Sequence, residues 1–177
     1  MRFTATDIED AYVLDLEPFH DTRGMFARIW AEEELAAHGL TASLSQCSIS
    51  RNRRSGTLRG MHYQRPPDEE AKLVRCTRGA IFDVVLDLRA GSPTLGRWYG
   101  VELTAEEGSA LFVPEGCAHG FQTLVDDTEV LYLISKPYAP ESATGVRWDD
   151  PAFGIAWPPA GERTISDRDR SWPDWSP

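Results

Sequence analysis

Apolar positions along this chain come in short runs and alternations rather than at helical spacing. The segments "AYVLDLE" (11–17), "SLSQCSISR" (43–51), "TLRGMHYQ" (57–64), "AKLVRCT" (71–77), "AIFDVVLDL" (80–88), "RWYGVEL" (97–103), "SALFVP" (109–114), "HGFQTL" (119–124) and "TEVLYLIS" (128–135) are rich in β-branched and aromatic residues, which is the composition of strands. Gly, Pro, Asp and Asn punctuate them at "RGA", "AGSPTLG", "EEG", "PEG" and "VDD", where turns are expected. One stretch departs from this pattern. "AEEELAAHG" (31–39) is dense in helix formers and stops at Gly39, which predicts a single short N-terminal helix. From about residue 145 the chain turns rich in Trp and Pro, as in "RWDDPAFGIAWPPAGE", and this tail is expected to wrap the sheets rather than add to them. Many short strands at such intervals predict an all-β sandwich or barrel. No repeat, low-complexity tract or linker divides the 177 residues, so one domain spanning 1–177 is expected.

Composition narrows the function classes. The formal net charge is −10, and a phosphate backbone repels such a surface, so nucleic acid is not an expected partner. No apolar run is long enough to span a membrane, and "MRFTATDIED" lacks the apolar core of a signal peptide. Cys47, Cys76 and Cys117 are odd in number and widely spaced, which makes neither a disulfide framework nor a CxxC pair. The expectation is a cytoplasmic, reduced protein with no membrane partner. The charge is uneven, however. Arg51, Arg53, Arg54, Arg59, Arg65, Lys72, Arg75 and Arg78 fall between 51 and 78, against only Asp68, Glu69 and Glu70. Such a stretch either holds a small anion or displays a solvated basic hairpin tip. Arg59 and Lys72 stand apart because both sit inside strand patterns.

The strand "TLRGMHYQ" poses the chemical question, since it spends Arg59 and His62 within four residues. Strict alternation places Arg59 with Met61 and Tyr63, opposite His62. A bulge at Gly60 would bring Arg59 and His62 to one side, and such an irregularity is predicted. His62, His119 and Cys117 make up a candidate zinc set, but Tyr63 and Gln64 follow His62 where a second His and a carboxylate would be needed. No metal is therefore expected. His20 and His38 read as surface residues. An imidazole is suited to general-base work near neutral pH, and inside a barrel it needs a partner that fixes its tautomer. No Ser or Cys sits in a strand-to-helix elbow, so acyl transfer is not favoured. Proton abstraction beside a carbonyl needs a base, a cation for the enolate oxygen and an acid on the other face. His62, Lys72 and Tyr132 are the candidates. On their own residues, Lys72 reads most simply as a snorkelling edge residue and Tyr132 more often as a core residue with its hydroxyl satisfied.

In "GSALFVPEGCAHGFQ", Pro114 and Gly116 precede His119. This Pro-x-Gly-x-x-His arrangement resembles the second half-motif of the cupin barrels. Taken together, more of the chain resembles the dTDP-4-dehydrorhamnose 3,5-epimerase family of nucleotide-sugar epimerases. "FHDTRGMFAR" is similar to the family's D-x-R-G segment and "GTLRGMHYQ" to its L-R-G-[LM]-H-[FY]-Q strand. "AKLVRCTRGAIFDVVLDLRAGSPTLGRW" resembles the segment with the family lysine, and "FVPEGCAHGFQTL", "EVLYLISKPYAPES" and "ISDRDRSWP" complete the series in order.

The resemblance implies a cupin-like double-stranded β-helix, a jelly-roll barrel, without metal or cofactor and usually a homodimer. It implies epimerisation at C3 and C5 of dTDP-4-dehydro-6-deoxy-D-glucose, giving dTDP-4-dehydro-L-rhamnose. By position, His62 is the base, Asp169 its carboxylate partner, Lys72 the enolate stabiliser and Tyr132 the acid, chiefly at C5. Arg59 and Arg23 bind the diphosphate, Arg23 across the subunit interface. His119 lines the sugar end, Tyr138 packs near the nucleotide, and Phe19 and Gln46 fall at binding positions. Two positions depart from the family pattern near the nucleotide: Arg28 stands in place of a Glu, and Ser48 in place of the Asn of Q-x-N. Without the resemblance, Asp169 reads as a helix cap through Ser166-x-x-Asp169 and Tyr138 as a loop anchor. A 3-epimerase of a related 4-keto-6-deoxysugar is the near alternative. From other classes come a non-catalytic sugar-nucleotide binder, which has no need of His62, Asp169 and Tyr132 together, and a metal-dependent cupin oxygenase.

Overall fold

The computed structural model describes residues 1–176. The chain runs β1 (Arg2–Ala5), β2 (Tyr12–Asp15), β3 (Phe19–Asp21), β4 (Gly24–Phe26), α1 (Glu32–Ala37), β5 (Gln46–Asn52), β6 (Leu58–Gln64), β7 (Lys72–Arg78), β8 (Ala80–Asp87), β9 (Trp98–Thr104), β10 (Ala110–Val113), β11 (Cys117–Thr123), β12 (Thr128–Ile134), β13 (Ala143–Gly145) and α2 (Asp167–Arg170). Every strand read from the apolar pattern forms, and α1 falls inside the expected helix. Two antiparallel sheets result, in the orders β1-β2-β10-β7-β12-β5 and β13-β6-β11-β8-β9, with β3–β4 as a separate hairpin. The strand orders interleave early and late segments, the winding of a jelly roll.

The core lies between the sheets. Val74, Cys76, Leu111, Val113 and Val130 from the six-stranded sheet meet Ile81, Val85, Leu103, Cys117 and Phe121 from the five-stranded sheet. The outer faces are covered as well. Leu35 of α1, Leu40 and Trp30 pack over Leu73, Ala110 and Phe112 of the six-stranded sheet. Val146, Phe153, Trp157 and Trp175 of the tail pack over Met61, Val84, Leu86 and Ala118 of the five-stranded one. A sheet covered on both faces has strands that are apolar throughout, and β11 is buried at every residue.

Two expectations change. The tail does wrap the sheets, but the chain first adds β13 to the edge of β6, and the tail carries α2, a second helical turn beside the single N-terminal helix expected. Strands and turns of three or four residues are too short for their periodicity to stand out.

The irregularity foreseen at Gly60 is present. His119 pairs with His62 and Phe121 with Arg59, so β6 advances three residues while β11 advances two. The extra residue is a bulge. Gly60 has φ +143°, and a Cβ there would lie 2.5 Å from the Gly120 Cα. Only glycine fits this crossing.

Candidate active site

A cavity of about 500 Å³ opens between the sheets. His62, Arg59 and His119 reach it from the five-stranded sheet, and Lys72, Tyr132, Gln46 and Ser48 from the six-stranded one. Tyr138, Arg168 and Asp169 close its rim from the loop after β12 and from α2.

His62 Nε2 lies 2.7 Å from Asp169 Oδ1. The carboxylate partner makes Nε2 the protonated nitrogen, which assigns the lone pair to Nδ1. Asp169 is buried, and its other oxygen accepts from the Gly60 amide at 3.4 Å. Burial alone would raise its carboxyl, but the hydrogen bond and charge of His62 prevail and hold it below the usual carboxylate value. The helix-cap reading of Asp169 also holds, for its backbone amide. Ser166 is the N-cap of α2, and its Oγ accepts from the Asp169 N–H at 3.1 Å. The cap orients the turn, and the carboxylate is left to His62.

Lys72 is buried, not snorkelling. Its Nζ pairs with Glu70 Oε1 at 2.8 Å and donates to the His62 carbonyl at 3.0 Å. Tyr132 stands on β12 between Ser48 and Val74, and its ring meets that of His119 edge-on at 5.9 Å. Burial, then the nearby Asp83 charge, push its phenol well above the ordinary value, and Arg59 opposes them only in part. Tyr132 therefore holds its proton to higher pH than an ordinary tyrosine.

His119 Nε2 lies 2.7 Å from Asp83 Oδ1, both side chains buried. Arg59 is exposed, and Asn52 Oδ1 accepts from its Nε at 2.8 Å. That bond fixes the planar fork, whose terminal N–H groups suit an anion. Tyr138 is 58% exposed on a loop clamped by Gln64, which donates to Asp68 and Pro137 carbonyls and accepts from the Ala139 amide at 2.7 Å.

Phe19, Arg23 and Arg28 are not brought to this cavity. They belong to the β3–β4 hairpin and the segment after it, where Arg23 pairs with Asp21 and Arg28 with Glu34. Every residue of both hairpin strands is exposed. The zinc alternative fails on geometry. Cys117 is packed in the core, where burial, then Asp87, push its thiol up to about 12. Among the described residues no three His, Cys, Asp or Glu side chains are grouped to hold a metal. Glu70, Asp83 and Arg168 were not among the sequence candidates. "PPDEEAKLV" looks like a solvated acidic turn, Asp83 is one polar residue in an apolar strand, and only the proximity of Arg168 to Asp169 pointed to it.

The profile of the dTDP-4-dehydrorhamnose 3,5-epimerase family matches residues 5–176. A dTDP-4-dehydrorhamnose 3,5-epimerase of Sinorhizobium fredii is 42% identical over 173 residues, covering 98% of this chain and 89% of that protein. The crystal structure of the enzyme of that name from Bacillus anthracis, with TDP and PPi bound, superposes with a TM-score of 0.92 at 38% identity, covering 97% of this chain and 98% of that one. A 3'-monoepimerase from Streptomyces bikiniensis in complex with dTDP-quinovose superposes with a TM-score of 0.87 at 38% identity, covering 95% of this chain and 85% of that one. The strand carrying Arg59 and His62, the buried lysine and the carboxylate on the C-terminal turn thus sit within a match that spans almost the whole chain, and the protein belongs to the dTDP-4-dehydrorhamnose 3,5-epimerase family.

Proposed function

We propose that the protein epimerises dTDP-4-dehydro-6-deoxy-D-glucose at C3 and C5 to give dTDP-4-dehydro-L-rhamnose. One observation carries this reading. His62 on one sheet, paired with Asp169 of α2, faces Lys72 and Tyr132 on the other sheet across a single cavity.

The 4-keto group acidifies the hydrogens at C3 and C5. His62 Nδ1 takes the proton, and Asp169 stabilises the imidazolium that forms. The electron pair moves to the C4 oxygen, where the Lys72 ammonium meets the developing charge. Tyr132 returns a proton to C5 from the face opposite His62, and at C3 a proton returns from solvent on that face. Tyr132 is reprotonated from solvent, and His62 gives up its proton to solvent after each step. No net redox change occurs. Arg59 holds the diphosphate with its planar fork, and Tyr138 packs on the base, beside Gln46 and Ser48. His119, fixed by Asp83, lines the sugar end.

The whole chain acts as one catalytic unit and works as a homodimer in the cytoplasm. The exposed hairpin supports the dimer, since it offers Phe19 at 69%, Met25 at 58% and Phe26 at 77% exposure beside the polar Arg23. A second copy's cavity receives Arg23 and Phe19, with Arg28 near the base. The test is to incubate the protein with dTDP-4-dehydro-6-deoxyglucose in D2O and read deuterium at each sugar carbon. Label at both C3 and C5, with the L-rhamno product trapped by a reductase, is expected. Label at C3 alone would favour the 3-epimerase, a reading kept alive by the likeness to the Streptomyces monoepimerase. No label despite tight nucleotide binding would sink the epimerase.

A further inference from the structure

An ammonium group has three N–H donors. On Lys72 one is spent within the protein on the His62 carbonyl at 3.0 Å, and the ammonium is held besides by an ion pair with Glu70 Oε1 at 2.8 Å. Those two contacts fix where the remaining N–H points, and Lys72 lines the cavity. Glu70 is itself buried and lines the same cavity. Its Oε2 is enclosed and has no hydrogen-bond partner among the described residues. A buried carboxylate with an unsatisfied oxygen is costly, and packing alone gives no reason for it here. The backbone beside it is pinned. The Ala71 amide donates to Ser135 Oγ at 2.8 Å, and the Ser135 amide donates to the Ala71 carbonyl at 3.0 Å. Glu70 therefore has little freedom to leave.

We propose that Glu70 is a positioning residue for enolisation. It holds Lys72 so that the remaining N–H is presented at one place, that of the sugar's C4 oxygen. The inference rests on the enolisation reading of the cavity. Both enolisations place charge on the same C4 oxygen, so the two steps share this one donor. The role is one of reach rather than of charge, because a neutral amide oxygen placed at the same distance can hold the ammonium at the same spot.

Three variants separate these ideas, each checked by thermal melting and each assayed by deuterium exchange at C3 and C5. Glu70→Ala frees Lys72 and is expected to slow exchange about tenfold or more at both carbons by the same factor, with KM within about threefold, as for a misplaced catalytic group. Glu70→Gln keeps the reach and is expected to stay within about threefold of wild type. Glu70→Asp keeps the charge but shortens the reach, and is expected to resemble Glu70→Ala. If Glu70→Ala does not fold, the order of Gln over Asp still decides. Wild-type exchange in Glu70→Ala, equal rates in Gln and Asp, or unequal losses at C3 and C5 would overturn the assignment of Glu70 while leaving the epimerase intact. Absence of exchange in the wild-type protein would remove the enolisation reading and this inference together.

Discussion

Tyr132 sits where a strand residue ordinarily fills a core, and its chemistry comes from what surrounds it. Its ring packs edge-on to His119 at 5.9 Å, and burial with the nearby Asp83 charge keeps the phenol protonated. Tyr132→Phe preserves that packing and removes one proton. Inversion and deuterium uptake at C5 are expected to fall by about 10²-fold or more, the usual worth of a positioned acid, while exchange at C3 changes little. NMR of the product formed in D2O reads both carbons in one sample, and equal losses would take the C5-specific role from Tyr132. At this scale much of the site was legible. His62 and Arg59 announce themselves because ionisable groups interrupt one strand pattern, whereas for Lys72 and Tyr132 only the order of motifs favours a catalytic role over a structural one. Glu70 and Asp83 do not announce themselves. A carboxylate is recognisable as buried only from its partner, and the partners Lys72 and His119 come from pairings that strand spacing alone does not specify.

Among the elements, β6 carries Arg59 and His62 and β8 carries Asp83, which fixes His119, and each of these strands depends on a local device. In β6 the bulge at Gly60 turns Arg59 and His62 toward one cavity, which strict alternation would forbid. The glycine made this foreseeable, because an isolated Gly in a strand marks a bulge or a close approach. In β8 the device is Asp87, which ends the strand that holds Asp83. Asp87 accepts hydrogen bonds from the Arg89 amide and guanidinium and from the Ser92 and Thr94 hydroxyls, closing the turn to β9. Burial would raise its carboxyl, but these donors bring it from 3.8 down to about 2. A group depressed on folding stabilises the protein above its unfolded value and loses that contribution as pH falls through the folded one. The shift corresponds to about 2 kcal/mol. Asp87→Asn is expected to cost about 3 kcal/mol, because a fully buried carboxylate oxygen that accepts from Arg89 and from the Ser92 and Thr94 hydroxyls gives way to an uncharged amide. For a chain of this length that is a Tm lower by roughly 6–12 °C. The gap between variant and wild type should close as pH falls from about 4 to about 2, and a gap that stays constant by calorimetry would mean that the carboxylate charge is not its source. The elements that pattern reading missed share one property. β1, β3, β4, β13 and α2 have three or four residues each, too few for a period of 2 or 3.6 to declare itself, whereas the equally short β2 and β10 lie in the longer apolar stretches "AYVLDLE" and "SALFVP".

For the whole molecule, one sheet brings His62 to the cavity and the other brings Lys72 and Tyr132, so the jelly roll is what would make the proposed two-faced proton transfer available. The apolar pattern carried an all-β sandwich or barrel, because nine strand segments leave few ways to bury their faces, while the jelly-roll winding was legible only through resemblance, first that of "GSALFVPEGCAHGFQ" to the cupin barrels. What lies beyond one chain is not written in periodicity. The hairpin that carries Phe19 and Arg23 looks like any exposed loop until its apolar tips are seen to lack a covering surface. A symmetric dimer in which each hairpin completes the other cavity makes a sharp prediction. Arg23→Ala and His62→Asn should each be nearly inactive alone, the first through weakened diphosphate binding and the second through loss of the base. Co-expressed, they form mixed dimers in which one cavity has His62 from one chain and Arg23 from its partner, while the other cavity lacks both. Random pairing makes half of the dimers mixed and restores one site of two in each, so about a quarter of wild-type activity should return. If Arg23 served the cavity of its own chain, no cavity in any pairing would be whole and activity would stay at the level of the single variants. Sedimentation of the same samples reports the oligomer, and a monomer that remained fully active would remove the exchanged hairpin from the mechanism.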